Sequence, residues 1–131
     1  MAYLTCDEFQ KAVAQYTIRH KSILDIMSKA QDANARLNRA VTKAATTCGC
    51  IRIETIKKPI PEDASLEDLS DLLDNHLRGS LCEDCRDMVE NEMGKLLFYL
   101  AALCNTVGLD LNSVMAKEDN QLKTLRVFNL T

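Results

Sequence analysis

Hydrophobic positions recur at steps of three and four residues along most of the chain, which is the spacing of one helical face. The first such segment follows Thr5, which forms a capping box with Glu8 and so satisfies free amides at a helix start. A second segment begins near Ser22 and should end near Cys48, because Gly49 is a natural helix terminator. Its stripe consists of Ile23, Met27, Ala30, Leu37, Val41 and Ala44. The pattern predicts helix up to about Cys48, either as two helices, the second capped by Ser22 and Asp25, or as one helix that continues through with a bend.

Residues 50–64 interrupt the helical pattern. β-branched isoleucines dominate the start of this segment, and Pro59 and Pro61 exclude a helix further on. We expect an extended linker here, inside a single domain that spans residues 1–131.

Helical spacing resumes after the linker. Ser65 and Asp68 predict the start of a third helix that ends at Gly79, with Leu66, Leu69, Leu73 and Leu77 on one side. Ser80 predicts the start of a fourth and main helix over about 81–107.

Gly108 should end the main helix, and Asp110 should open a last helix that continues to about Leu122. The segment after the last helix is unassigned. The chain is therefore predicted to be an all-α bundle of four to five helices with short connections.

Composition narrows the class of protein. Of the 131 residues, 47% are hydrophobic and 27% are charged, which is an ordinary globular balance. The net charge is −3 without a basic run, so nucleic acid is not an expected partner. The longest apolar run, LLFYLAALC, is too short to cross a bilayer, and the first residues lack the pattern of a secretory leader. We expect a cytoplasmic protein with no membrane partner.

Two helices carry polar residues where the apolar stripe should be buried. Stepping along the main helix from Val89 to Leu96 lands on or beside Glu92. On the second helix the same stepping lands on Asn34, and Asp32 lies next to that face. Burying an unpaired charge costs on the order of several kcal/mol. Glu92 therefore either lies at the margin of the stripe and reaches solvent, or has a metal, a cation or donors beside it.

Four of the six cysteines form two close pairs, Cys48-Gly-Cys50 and Cys82-Glu-Asp-Cys85. The first pair lies at a predicted helix end and the second at a predicted helix start, where free amides favour thiolates. Four thiolates from two short clusters are typical of a structural Zn²⁺ site. Two alternatives stay open: unliganded cysteines that pack as small apolar residues, and a redox-active disulfide between Cys82 and Cys85.

The segment ENEMGKLLFYLAALCNTVGLDL, residues 90–111, resembles the third-helix motif of the MazG-like all-α nucleoside triphosphate pyrophosphohydrolases. The segment LTCDEFQKAVAQY, residues 4–16, resembles their opening helix. The resemblance implies a MazG-like helical bundle that forms a homodimer or homotetramer. It also implies cleavage of a (d)NTP to a (d)NMP and pyrophosphate, with Mg²⁺ held by acidic residues on two helices.

The sequence departs from that family pattern at the metal site. The motif's Glu corresponds to Glu92, but its Asp corresponds to Lys95, which reverses the charge. The family expects several acids on the preceding long helix, where residues 29–40 offer Asp32 alone. The resemblance assigns Glu92 and Asp32 as remnants of the catalytic Mg²⁺ site, and Mg²⁺ needs hard oxygen ligands. We expect the activity to be lost or weakened.

The remaining assignments concern the substrate. The resemblance suggests Lys117 and Asn120 near the substrate phosphates, and Asn34 and Lys95 beside the acidic pair. The competing hypothesis is a non-catalytic nucleotide-binding or regulatory protein that keeps the helical fold. In that hypothesis Cys48, Cys50, Cys82 and Cys85 hold a structural Zn²⁺.

Overall fold

The computed structural model describes residues 3–55 and 57–125, and these residues are mostly helical. Five helices and two short strands lie within those ranges. The helices are α1 (Cys6–Tyr16), α2 (Ile23–Lys43), α3 (Leu66–Leu72), α4 (Glu83–Val107) and α5 (Leu111–Leu125), and the strands are β1 (Ile51–Ile53) and β2 (Leu77–Gly79). The all-α class expected from the sequence is confirmed.

The start of α1 is fixed by the predicted capping box. The Thr5 hydroxyl accepts a hydrogen bond from the Glu8 amide at 3.1 Å, and the Thr5 amide donates to the Glu8 carboxylate at 3.4 Å. The two bonds satisfy amides that a helix end leaves without a partner. This cap places α1 against α4 and α5.

The hydrophobic core lies where α1 and the first turns of α2 meet the second half of α4. Val13, Ile26, Ala101 and Ala102 form its buried cluster. Ile26 is the largest fully buried side chain among the described residues, so the core consists largely of small groups. Small side chains let α2 and α4 approach closely along their length, but they bury little apolar surface.

α2 is followed by one turn of the wider π-helix, Ala44–Cys48. Gly49 follows with a φ of 81°, and its amide donates to the Ala44 carbonyl at 2.9 Å. The left-handed backbone at Gly49 is the reason the helix stops there. The predicted end near Cys48 is confirmed, whereas the π-helical turn was not predicted.

The strands β1 and β2 form a two-stranded antiparallel ladder in which Ile51 pairs with Gly79 and Ile53 pairs with Leu77. Gly79 has a φ of 83°, and a Cβ at this position would lie 2.5 Å from the Cys50 carbonyl oxygen. Only glycine permits this close approach of the two backbones. β1 thus occupies the start of the predicted linker.

Two helix boundaries predicted from the sequence are wrong. The third helix ends at Leu72 and does not reach Gly79, because the backbone turns at residues 74–76 and continues into β2. The main helix is capped by Cys82, not by Ser80. After α3 the Asp74 and Asn75 side chains accept hydrogen bonds from nearby amides, and this turn overrides the leucine spacing. At the start of α4 the Cys82 sulfur accepts the Cys85 amide, which is the bond expected of a cap.

The last helix follows Asp110, whose carboxylate accepts the Ser113 amide at 3.1 Å, and it extends to Leu125. The helix thus includes the first two residues of the tail 124–131, for which the sequence predicts no structure, and the rest of that tail lies outside the described residues. No single described helix is both long and apolar enough to cross a membrane; α4 and α5 meet that test only as a pair, with a bend of 106° between them.

Candidate metal centre and polar cleft

Four cysteine thiols converge at the junction of α2, the β ladder and α4. The Sγ atoms of Cys48, Cys50, Cys82 and Cys85 all lie within 4.8 Å of one another. The Cys48 and Cys82 sulfurs are 3.8 Å apart. Thiolates bound to Zn²⁺ at about 2.3 Å in a tetrahedron stand about 3.8 Å from each other. The four thiols can therefore hold a metal ion such as zinc.

Local backbone structure sets the position of each thiol. Cys48 is the last residue of the π-helical turn, and the left-handed Gly49 brings Cys50 back beside it. Cys82 is the N-cap of α4, and Cys85 lies in the first turn. The pairing of β1 with β2 joins the two clusters, because Cys50 directly precedes β1 and Cys82 follows β2 by three residues.

The electrostatic surroundings favour a thiolate at Cys82. Its Sγ accepts the Cys85 backbone amide at 3.4 Å, and this bond, with the hydrogen bond from the Cys85 thiol, lowers the pKa of Cys82 to about 7. The hydrogen bond to Cys82, together with burial, raises the pKa of Cys85 to about 12. A bound cation would stabilise all four thiolates, and binding would then release protons.

The other two cysteines are separate from this cluster. Cys6 contacts the Met115 sulfur at 3.5 Å, and Cys104 is buried in α4. His76 lies six residues before Cys82 but is not part of the thiol group, and it has a φ of 63° in the turn before β2. Within the described residues the cluster is thus a set of four sulfurs.

A second candidate site is a cleft of about 330 Å³ between α2 and α4. Its charged lining residues are Asp32, Arg36, Arg39, Lys43 and Glu92. The Glu92 side chain is 20% exposed, and its Oε1 lies 3.8 Å from the Lys95 Nζ. Its Oε2 is buried and has no hydrogen-bond partner among the described residues. Glu92 therefore sits at the predicted boundary between the core and the solvent.

The second carboxylate of the cleft is already paired. The Arg36 Nε donates to the Asp32 Oδ2 at 3.0 Å. Three cationic side chains face two carboxylates in the cleft, and Lys95 adds a further cation beside Glu92. An excess of cations raises the energy of a divalent metal at this position, because like charges repel at short range.

The structure brings together only some of the residues assigned to the substrate site. Asp32 and Glu92 line one cleft, and Lys95 contacts Glu92. Asn34 instead lines an apolar groove on another face of α2. Lys117 and Asn120 are exposed on α5, which packs on α1 and does not line the cleft.

Lys43 is a residue of the cleft that reasoning from the sequence missed. Residues 32, 36, 39 and 43 are spaced by three and four, so they share one face of α2. That spacing is visible in the sequence, where Lys43 continues the basic positions Arg36 and Arg39 by one turn.

Comparison of the chain with models of protein families, with curated proteins and with solved structures finds no match. The MazG-like assignment therefore stays a prediction from the two segments that resemble that family.

Proposed function

We propose that this protein is a non-catalytic binding or regulatory domain of MazG-like type, stabilised by one Zn²⁺ on Cys48, Cys50, Cys82 and Cys85. The convergence of four sulfurs within 4.8 Å carries this proposal. Zinc is the metal that fits best, because it is soft enough for thiolates and accepts a closed tetrahedral site. Such a site leaves no open position for chemistry, so its role is structural.

The position of the thiols explains what a structural metal would do. It would tie the C-terminal end of α2 to the first turn of α4, across a segment with few buried residues. Five of the ten buried hydrophobic residues in the described part of the chain are alanines, and two are isoleucines. Metal binding free energy contributes directly to folding when the site exists only in the folded state.

Elemental analysis of protein purified without added metal tests the zinc site. About one zinc per chain is expected, and Cys82→Ser should lose most of it. Cys6→Ser is the matched control, since Cys6 is outside the cluster and should keep the metal. Protein that is purified without metal, and whose melting temperature a chelator does not change, would contradict the proposal. Iron in place of zinc would change the identity of the proposed metal.

Binding without cleavage is the activity that the cleft favours. Its three cations suit the phosphates of a nucleotide, whereas both of its carboxylates, Asp32 and Glu92, already have a cationic side chain beside them. Titration calorimetry with ATP and dATP in buffer without added Mg²⁺ should detect binding. Arg39→Gln should weaken it, and Arg19→Gln, outside the cleft, should leave it unchanged. Equal affinity in both variants would count against this cleft.

A weak pyrophosphohydrolase is the second candidate, and the unpartnered Oε2 of Glu92 favours it. A buried carboxylate oxygen without a donor is a potential metal ligand. Incubation with a panel of NTPs and dNTPs plus Mg²⁺ or Mn²⁺ distinguishes the two candidates. Pyrophosphate release that disappears in Glu92→Ala would establish the enzyme. If neither the wild type nor Lys95→Asp releases pyrophosphate, the non-catalytic binding protein is favoured.

A further inference from the structure

The four thiols of the candidate metal centre differ in their exposure to solvent. Cys48 is exposed, whereas Cys50, Cys82 and Cys85 are half-buried. The Cys50 sulfur has a further contact, at 3.7 Å from the Ala44 carbonyl oxygen. The susceptibility of a cysteine to oxidation follows its exposure and its thiolate character. An oxidant in solution should therefore react with Cys48 first.

The Cys82 sulfur is placed to react with an oxidised Cys48. The two Sγ atoms are 3.8 Å apart, so a disulfide of about 2.0 Å requires them to approach by about 1.8 Å. Rotation of either side chain between staggered rotamers moves a sulfur further than that. Cys48 ends the π-helical turn after α2 and Cys82 caps α4, so the bond would join the same two helices as a shared metal ion.

We propose that Cys48 is a site of reversible oxidation by peroxides, and that a bond from Cys48 to Cys82 then displaces the metal. This regulatory role rests on the proposed zinc site. Zinc binds cysteine as the thiolate, which is also the form that attacks an oxidant. The bound metal thus keeps Cys48 in its reactive form near neutral pH.

The oxidation consists of two displacements. The Cys48 thiolate attacks one oxygen of hydrogen peroxide, the O–O bond breaks, and the departing hydroxide takes up a proton, which leaves a sulfenic acid on Cys48. The Cys82 thiolate then attacks the Cys48 sulfur, the S–O bond breaks, and a second hydroxide leaves and is protonated. The two sulfurs lose two electrons in all, and the peroxide is reduced to two waters. Zinc is released as Cys50 and Cys85 take up protons.

The choice of partner decides what oxidation does to the fold. A bond within either short pair, Cys48 with Cys50 or Cys82 with Cys85, would release the metal and leave α2 and α4 without a connection at this end. The bond from Cys48 to Cys82 instead exchanges a metal connection for a covalent one. Reduction by a thiol, with zinc present, would reverse the exchange.

Titration of the reduced, zinc-loaded protein with hydrogen peroxide tests this proposal. A colorimetric zinc indicator should report about one zinc released per peroxide consumed, and a thiol reductant with added zinc should restore the loaded protein. The indicator alone, without peroxide, should take up little zinc.

Peptide mapping identifies the bond. Trypsin cuts after lysine and arginine, so residues 44–52 and 79–86 form two peptides that each contain two of the clustered cysteines. After free thiols are alkylated, mass spectrometry should find these two peptides cross-linked, and fragmentation should place the bond between Cys48 and Cys82.

Two double variants form a matched pair, because each keeps two of the four thiols. Metal-free Cys50→Ser/Cys85→Ser retains Cys48 and Cys82 and should form an intramolecular disulfide with peroxide. Metal-free Cys48→Ser/Cys82→Ser retains two half-buried thiols and should consume peroxide several-fold more slowly. Cys6→Ser, outside the cluster, should keep the wild-type zinc release.

A disulfide confined to residues 79–86, zinc that stays bound while peroxide is consumed, or equal rates in the two double variants would overturn the proposal. Protein that is purified under reducing conditions without zinc, and still forms the bond from Cys48 to Cys82, would contradict the zinc site and support Cys48 as the oxidation site. The failure of the zinc site and the failure of the oxidation site are therefore distinguishable.

Discussion

Glu92 and Lys95 show how a single charge reversal changes a site. A carboxylate in place of Lys95 would stand one helical turn from Glu92, and the two together would make a pair suited to a divalent cation. The lysine supplies a positive charge at 3.8 Å from Glu92 instead. Because the pair is partly exposed, its own contribution to stability is small. Its main consequence is a further positive charge beside a cleft that three cations already line.

The backbone of Gly79 lies directly against Cys50, one of the four clustered cysteines. The substitution Gly79→Ala should destabilise the protein by about 1–3 kcal/mol, because the left-handed backbone disfavours a side chain and the added Cβ would strike the Cys50 carbonyl. Since relief of that clash moves Cys50, zinc content should also fall. Chemical denaturation and elemental analysis measure the two effects.

Gly94→Ala is the control for this prediction. Gly94 lies within α4, and nothing is close to the position of its Cβ. Alanine there should stabilise the helix by up to about 1 kcal/mol and leave the zinc content unchanged. If Gly79→Ala behaved in the same way, the close approach of the β ladder would not support the thiol cluster.

At the scale of elements, local signals predicted the helices that carry clear caps. The capping boxes at Thr5 and Ser65 and the terminators Gly49 and Gly108 all occur where the sequence placed them. The strands were missed because three residues each are too few for a period to appear. Their pairing joins segments more than twenty residues apart, and only the tertiary fold selects it.

Part of the candidate site could be predicted from local sequence, and part depends on which helix face a residue occupies. Cys82–Cys85 and Cys48–Cys50 could be read as metal ligands because their spacing is short and local. Asn34 and Asp32 are two residues apart, so on a helix they point to different faces. That difference places Asn34 in the groove and Asp32 in the cleft.

The turn before β2 makes the stability of this element depend on pH. Two hydrogen bonds from Arg78 hold the pKa of Asp74 well below its usual 3.8. A lowered pKa means that the charged form stabilises the fold above about pH 4, and that this contribution is lost as the pH falls further. Unfolding free energy should therefore drop more steeply below pH 4 in the wild type than in Asp74→Asn.

Thermal melts between pH 3 and pH 6 measure this difference. Any loss of zinc in acid would affect the wild type and Asp74→Asn equally, so it would cancel in the comparison. Asp71→Asn on α3 is the control, because Asp71 is exposed and should keep the wild-type profile. Parallel curves for the wild type and Asp74→Asn would show that the bonds to Arg78 do not stabilise the turn.

At the scale of the whole molecule, the metal centre and the hydrophobic core lie towards opposite ends of α4. Cys85 is in the first turn, and Ala102 is in the buried cluster. At 1.5 Å per residue these positions are about 25 Å apart along the helix. The two ends of the protein should therefore respond differently when the metal is removed, as locally stabilised units do.

Hydrogen exchange followed by mass spectrometry tests that separation. After chelation, peptides that cover residues 44–53 and 77–88 should exchange faster, because the thiols that join α2 to α4 would no longer share a cation. Peptides that cover 9–13 and 98–104 should change little, since Val13 and Ala101 pack in the distant cluster. Cys82→Ser should reproduce the pattern without a chelator. Faster exchange along all of α4 would mean instead that the fold is one cooperative unit held by the metal.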